Sequence, residues 1–526
     1  MPDIVLTTLN AKFIHAAFGL RYLFANLGDL QPRAVIAEFD INLRPLDIAE
    51  ALLGRLEYPL PADQGGPPRV QIIGFGVYIW NVAQTTEVIA AIKQVRPEIK
   101  IILGGPEVSY ETEGQKIVEL ADHVIKGEAD LKFAEVCRRL LEEGSRECTP
   151  PQLQKIIAAE LPDFSQIILP YDFYTEADIA HRVVYVEASR GCPFTCEFCL
   201  SSLDIPVRQA PVNPFLNEMQ KLLDRGLKQF KFVDRTFNLN LAVSKTLLEF
   251  FLARHQPGRF YHFELVPDRL PDELRTVIAR FPPGALQFEV GIQTFNPEVG
   301  QNISRRQNYE RLVDNFNYLR IETSVHVHAD LIVGLPGETL ASFAAGFDRL
   351  IALGPQEIQV GILKRLRGTT IGRHDGEWQM VYNPHPPYEL LQNKLLDFTI
   401  MQRLRRFARY WDLVGNSGNF VAAAPLIWSN ATSPFHSFLR FSDWLYAKLN
   451  RTDSIALARL MELLFEYLTH ERGLDGKMAA EIFASDNKRM GRRDAPNFLK
   501  EFLPTESMPK VRDRSLPKRQ ARHLST

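Results

Sequence analysis

Cys192-Pro193-Phe194-Thr195-Cys196-Glu197-Phe198-Cys199 packs three of the chain's five cysteines into eight residues. Thiolates are the ligands of iron–sulfur clusters, and closely spaced cysteines on one loop grip a single cluster together. A four-iron cluster normally takes four cysteines, so a three-cysteine loop leaves one iron without a protein ligand. An open coordination position is where a metal centre does chemistry rather than hold structure. Zinc is the competing reading and needs a fourth ligand; His181 lies upstream, but before a strand and away from finger spacing. Cysteines kept only for burial rarely cluster so tightly in a cysteine-poor chain. The loop therefore reads as the ligand set of an open cluster.

Outward from this loop, the 526 residues exceed one ordinary core, and length alone gives about three domains. Apolar residues make up 45% and charged ones 24%, the balance of a soluble globular protein. A formal net charge of −2 gives no whole-molecule field toward nucleic acid or an anionic membrane, so neither is an expected partner. No apolar run reaches the ~18 residues of a membrane helix. Residues 4–9 read directly as a strand, with no basic-then-apolar signal segment before them. Five cysteines in this length argue against an oxidising compartment, and the cytoplasm is the expected location.

From residue 1 to 145, strand-like runs at 4–9, 34–41, 70–79, 101–103 and 123–125 alternate with helical patterns at 17–27, 47–56, 85–95 and 130–141. Such alternation predicts a parallel, doubly wound α/β sheet of the flavodoxin or Rossmann kind. Ligands on these sheets sit at the carboxyl ends of the strands. That is where Gly74 and Gly76, Gly104-Gly105-Pro106 and Gly127-Glu128 fall, and glycine lets backbone approach a ligand closely. Residues 146–181 read as a linker with a helix, bounded by Pro150-Pro151 and Pro170; Cys148 there and Cys137 on an apolar helix face read as ordinary residues. A second alternating region spans 182–375, with strands expected at 183–186, 229–233, 261–265, 286–291, 325–333 and 357–362. Residues 376–507 turn helical, with amphipathic patterns at 388–409 and 457–470. The last stretch, 508–526, is a basic tail carrying Lys510, Arg512, Arg514, Lys518, Arg519 and Arg522, and it reads as a solvated, flexible end.

Residues 187–199, with the CxxxCxxC spacing, Phe198 just before the last cysteine and a strand ahead, resemble the signature of the radical S-adenosylmethionine (radical SAM) enzymes. The front region resembles the cobalamin-binding domain of many of them, on Gly74-Phe75-Gly76-Val77-Tyr78-Ile79-Trp80-Asn81, then Ile102-Leu103-Gly104-Gly105-Pro106-Glu107, then Ala121 to Glu128. The resemblance covers roughly residues 1–375, and 376–507 is similar to an uncharacterised extension of one bacterial subgroup. It implies a partial (β/α)6 TIM-like barrel for the second region, with the active site at the strand carboxyl ends. It implies a [4Fe-4S] cluster on Cys192, Cys196 and Cys199, whose open iron chelates S-adenosylmethionine and reductively cleaves it to methionine and a 5′-deoxyadenosyl radical. Tyr78, Gly104, Gly105, Gly127 and Glu128 would line cobalamin. One departure stands out: Asn10-Ala11-Lys12-Phe13-Ile14-His15 replaces the Asp-x-His-x-x-Gly motif that supplies cobalt's lower histidine, and His15 has the wrong spacing for that role.

The same resemblance gives roles to polar residues at strand ends. Phe198 packs beside adenine; its bland alternative is an apolar loop anchor. Asp234, with Thr236 behind it, holds the methionine amino group, where a charged hydrogen bond is worth about twice a neutral one; both residue types also cap helices. Glu289 and Gln293 bond the ribose, Gly334 lets backbone lie along adenine, and Glu264 sits inward on the third strand or at its end; Arg306 could bond the cofactor carboxylate, with a surface arginine as the stronger default. The implied activity is hydrogen abstraction from an unreactive carbon and, with cobalamin, methyl transfer or rearrangement. Alternatives are a radical SAM enzyme without cobalamin and an iron–sulfur redox sensor or electron carrier. Implied partners are a small-molecule or peptide substrate and a reductase such as a flavodoxin or ferredoxin. Methylthiotransferase chemistry would want a second cysteine triad, and only Cys137 and Cys148 remain.

Overall fold

The computed structural model describes residues 2–56, 70–143, 153–490, 497–499, 502 and 518–524. Among the described residues sixteen strands form two six-stranded sheets and two short antiparallel pairs. The first sheet holds β1 (Ile4–Asn10), β2 (Ala34–Asp40), β3 (Ile72–Gly76), β4 (Lys100–Gly104), β5 (His123–Lys126) and β6 (Ile156–Ala158). Its order is β2-β1-β3-β4-β5-β6, parallel throughout. Both faces are covered, which is why β1 is buried along its whole length: Val5 and Leu9 join one core and Ile4 and Leu6 the other. The order of strand addition reverses between β1 and β3, the switch point beside which such sheets hold ligands. β6 lies in the stretch read as linker, so the sheet runs past residue 145 to Ala158.

The second sheet, β14-β13-β12-β11-β10-β7, is also parallel, and its strands follow one another in chain order as an open, partial barrel. They are β7 (Val184–Val186), β10 (Gln229–Phe232), β11 (Phe260–Leu265), β12 (Leu286–Gln293), β13 (His326–Val333) and β14 (Glu357–Ile362). Between β7 and β10 stand β8 (Ser189–Arg190) and β9 (Arg208–Gln209), a two-residue antiparallel hairpin that brackets the cysteine loop. Along each barrel strand the period of two separates two chemistries. Phe230, Phe232, Tyr261, Phe263 and Phe288 are fully buried on the helix-facing side. Lys231, His262, Glu264, Glu289, His328 and Asp330 occupy the alternate positions, and register puts Glu264 beside Glu289 and Glu289 beside His328. Closed barrels fill that interior with branched apolar residues; here it is a polar trough.

The C-terminal region packs outside this barrel. Helix Phe398–Val414 sets Phe407 and Trp411 against Phe347 at 5.1 and 4.8 Å, and helix Pro434–Leu449 adds Phe438 against Phe407 at 5.2 Å. The first of these helices starts ten residues later than expected, capped by the Asp397 side chain on the Ile400 N–H, because residues 390–392 form a short strand instead. The basic tail corrects its own reading. Helix Lys518–His523 lies across the strand beginnings: Gln520 bonds Gln287, Arg519 pairs with Glu357 at 3.0 Å, and the His523 ring meets His326 at 5.2 Å. Arg519 and Arg522 are thus docked on carbonyls and carboxylates rather than solvated; Lys510, Arg512 and Arg514 lie outside the described residues. No helix among the described residues is long and apolar enough to cross a membrane.

The front domain is fixed to the barrel by buried charge. Arg21 donates to Glu38 at 2.9 Å and to Asp178 at 2.8 Å, and Arg182 reaches the same two carboxylates. Arg21, Glu38 and Asp178 have side chains under a tenth exposed. Breaking a buried ionic network from one side leaves uncompensated charge. Arg21→Ala is expected to destabilise the chain by about 3 kcal/mol or more, read as a lower urea midpoint.

Candidate active site

Three thiols share one cavity at the carboxyl ends of the barrel strands. The cavity, about 170 Å³, is lined by Cys192, Cys196 and Cys199 together with Phe198, Thr236, Glu264, Glu289, Gln293 and Asp330. Cys192 and Cys196 are buried and Cys199 is half-buried. The loop that presents them is pinned at several points. The Cys192 N–H donates to Asp204 O at 3.1 Å, and Cys199 N–H to Cys196 O at 3.1 Å. Gly191 stands at φ +89°, where a Cβ would lie 2.6 Å from Asp204 O, so only glycine fits ahead of the first cysteine. Glu197, between the second and third cysteines, turns into the protein: it accepts from Ser304 Oγ at 2.6 Å and pairs with His374 at 2.9 Å and Arg373 at 2.5 Å.

Among the described residues no three His, Cys, Asp or Glu side chains converge tightly enough to hold a single ion. The thiols line a cavity wall instead, an arrangement suited to a group of cluster size. Arg305 places Nη1 3.5 Å from Cys196 Sγ while bonding Gly291 O, a guanidinium set against the sulfur. Cys137 is buried in the front-domain core, where burial pushes its thiol up and makes it inert; Cys148 lies outside the described residues.

Most of the strand-end residues gather where the sequence reading put them. Phe198, Thr236, Glu264, Glu289 and Gln293 line the cavity, and Arg306, for which a surface position was the default, lines it as well. Burial works to raise the Glu289 carboxyl, but the hydrogen bond from His262 at 3.0 Å, with Lys231 and His328 nearby, overcomes it and holds Glu289 ionised. Asp330 is raised by burial, though His328 pulls the other way. Asp234 is not in this cavity. Its carboxylate faces the root of the cysteine loop, accepting from Ala188 N–H and, at 2.6 Å, from Ser189 Oγ. Gly334, at φ +88°, likewise lies off the cavity and gives its carbonyl to Asn393. Arg305, Asp330 and Arg235 are site residues that sequence reasoning did not assign. The signal for Asp330 was present: His326, His328 and Asp330 alternate with Val327, Ala329 and Leu331, a polar face on an otherwise apolar strand.

A second cavity, about 240 Å³, opens beside the switch point of the front sheet. Gly74, Gly76, Tyr78, Gly104, Gly105 and Gly127 line it, as expected. A Cβ at Gly104 or Gly127 would find protein only at 3.9 and 3.7 Å and would stand in the cavity instead, so these glycines form a cradle. Tyr78 stacks on Trp80 at 4.5 Å. Glu128 is not part of the lining: its oxygens accept from Arg190 and Arg208. His15 is also elsewhere, with Nδ1 2.6 Å from the Tyr185 hydroxyl on β7, and the residues lining the cavity include no histidine. Glu187 and Arg190, just upstream of the cysteines, complete the wall.

Comparison with known proteins agrees with this division. The B12 binding domain model matches residues 4–137, the Radical SAM superfamily model 186–350, and a protein of unknown function (DUF4080) model 376–521. An uncharacterized methyltransferase of Pyrococcus horikoshii, PH0819, is 26% identical over 265 residues, covering 47% of this chain and 56% of its own. A tRNA-2-methylthio-N(6)-dimethylallyladenosine synthase of Acinetobacter baumannii is 23% identical, covering 48% and 53%. The chain thus spans about half the length of these curated relatives. The cobalamin-dependent S-adenosylmethionine radical enzyme OxsB superposes over 93% of this chain and 79% of its own, with TM-score 0.58 and 12% identity. The radical S-adenosylmethionine methyltransferase TsrM of Kitasatospora setae covers 73% and 82%, with TM-score 0.54 and 17% identity.

Burial pushes the Asp234 carboxyl up to about 7, against its bonds from Ser189 and Ala188. An unfolded aspartate titrates near about 4. Between about pH 4 and 7 the unfolded chain therefore loses this proton first, and the contribution of Asp234 to stability falls as pH rises. Below that interval both states are protonated, and above it both are ionised. Asp234→Asn is expected to lack this component, so urea midpoints of the two proteins at pH 5 and pH 8 should differ by unequal amounts.

Proposed function

Because the chain belongs to the radical SAM enzymes that carry a cobalamin-binding domain, we propose that it activates an unreactive carbon of a small-molecule or peptide substrate, with methyl transfer or rearrangement as the outcome. The observation that carries this reading is the single cavity shared by the three thiols and the strand-end residues Thr236, Glu264, Glu289 and Gln293. Cys192, Cys196 and Cys199 hold a [4Fe-4S] cluster, and the glycine cradle of the front cavity takes cobalamin. When bound and reduced, the cluster supplies one electron that cleaves S-adenosylmethionine, and cobalamin supplies a methyl carrier.

The chain's own residues bind and orient. Ionised Glu289 accepts hydroxyl hydrogen bonds on one wall, and Gln293, four residues further along β12, offers an amide to the same cavity. Thr236 and Glu264 face them with acceptors for an ammonium group, Glu264 being held in place by Arg235 at 2.9 Å. Phe198 gives an apolar surface for a purine. Cys192 and Cys196 are largely buried, and Arg305 stands against Cys196, where a cation would offset negative charge on the sulfurs of a bound cluster. A low-potential flavodoxin or ferredoxin is the proposed electron donor. Methylthiotransfer, the chemistry in the Acinetobacter relative's name, is not proposed: Cys137 and Cys148 are the remaining cysteines and do not make a second triad.

Anaerobic reconstitution with iron, sulfide and hydroxocobalamin should give about four irons and about one cobalamin per chain after gel filtration. Dithionite and S-adenosylmethionine should then yield 5′-deoxyadenosine. Cys196→Ala is expected to lose the iron and that product. Iron retained unchanged in this variant would sink the assignment.

A further inference from the structure

Building on that reading of the two cavities, we propose that Glu128 of the front domain is a positioning residue for the cysteine loop, and that through it cobalamin binding and cluster assembly favour each other. Register pairs Ser189 with Gln209 and Arg190 with Arg208, so residues 191–207, including all three cysteines, form one loop rooted in the β8–β9 hairpin. Each strand of that root contributes one arginine, and both arginines meet the same front-domain carboxylate. Arg190 Nη1 donates to Glu128 Oε2 at 2.9 Å, and Arg208 Nη1 to the same oxygen at 2.8 Å, with Arg208 Nη2 on Oε1. Arg208 also donates to Asp204 at 2.7 Å, and the Asp204 carbonyl accepts the Cys192 N–H at 3.1 Å. Three hydrogen bonds in series therefore join Glu128 to the backbone of the first cysteine.

The other end of this path opens on the front cavity. Glu128 sits between Gly127 and Ala129, which both line the cavity, as does Asp130. Asp130 takes a second pair of Arg190 hydrogen bonds at 2.9 and 3.1 Å. A molecule seated against Gly127 and Asp130 orders the turn that presents Glu128, and a cluster seated on the cysteines orders the hairpin that receives it. Coupling of this kind is reciprocal: whatever one ligand gains from the other is returned equally. Domain attachment does not depend on Glu128 alone, because Arg21 with Asp178 and Arg367 with Glu107 also cross between the regions.

The test measures hydroxocobalamin affinity of the full chain, by absorbance titration, with and without the reconstituted cluster. Wild type should bind at least about fivefold tighter with the cluster present, and Glu128→Gln should bring that ratio close to one. Hydrogen exchange on cluster-free protein supplies a second readout: hydroxocobalamin should protect residues 191–207 in wild type and not in Glu128→Gln or Arg208→Lys. A general loss of stability would raise exchange everywhere and would not abolish this ligand-dependent difference. A ratio near one in wild type, or an unchanged ratio and protection in both variants, would overturn the coupling while leaving the proposed function standing. Wild-type protein that takes up no cobalamin or no iron would overturn both.

Discussion

A buried guanidinium is tolerated only when its N–H groups are met by acceptors, and Arg190 meets that condition by drawing on three separate parts of the chain. Glu187 comes from the end of the first barrel strand, Glu128 and Asp130 from the front domain, and the rings of Tyr22 and Phe164 cover the guanidinium at 4.4 and 5.1 Å. Glu128, Asp130 and Tyr22 could not serve if the two sheets were set apart. The position of the cysteines follows from this, because Arg190 is two residues ahead of Cys192 and Gly191 between them has no freedom to spare. The geometry of the whole molecule is thus concentrated at one short hairpin.

The partial barrel extends the same logic. Strands that do not close leave a trough whose lining faces neither a packed core nor bulk water, and the lining here is charged. Several of its side chains pair off: His262 with Glu289, His326 with Glu357, His328 with Asp330 and Glu264 with Arg235. The outer face of the same strands is a stack of phenylalanines, Phe232 and Phe263 lying 4.4 Å apart. One face stabilises by burial, and the other costs stability in exchange for a polar site that is already organised before anything binds.

How much of this could be read from the sequence depended on distance along the chain. The cysteine loop and the long apolar strands were legible because their signals are local, and so was the glycine cradle of the front cavity. What stayed hidden was pairing between remote residues. Glu128 looked like a cofactor contact because nothing near it in sequence announces Arg190 and Arg208, 62 and 80 residues away. Asp234 has the right chemistry for an ammonium ligand, but its oxygens are occupied by backbone 46 residues earlier. β6 is three residues long, too short for any periodicity. The helix start at Asp397 was legible in principle, since an aspartate at that position caps the Ile400 amide, but the expected amphipathic run began too early to show it.

The closing helix Lys518–His523 has a consequence for how the protein is made. Gln520 meets Gln287 across 233 residues of sequence, and Arg519 meets Glu357, the first residue of β14. On a ribosome the barrel walls therefore emerge long before their floor. Until residue 519 has been translated, Glu357 has His326 as a partner but lacks its arginine. Closure of the strand beginnings therefore comes late: every barrel strand precedes residue 363, and the helix that covers their starts follows more than 150 residues later.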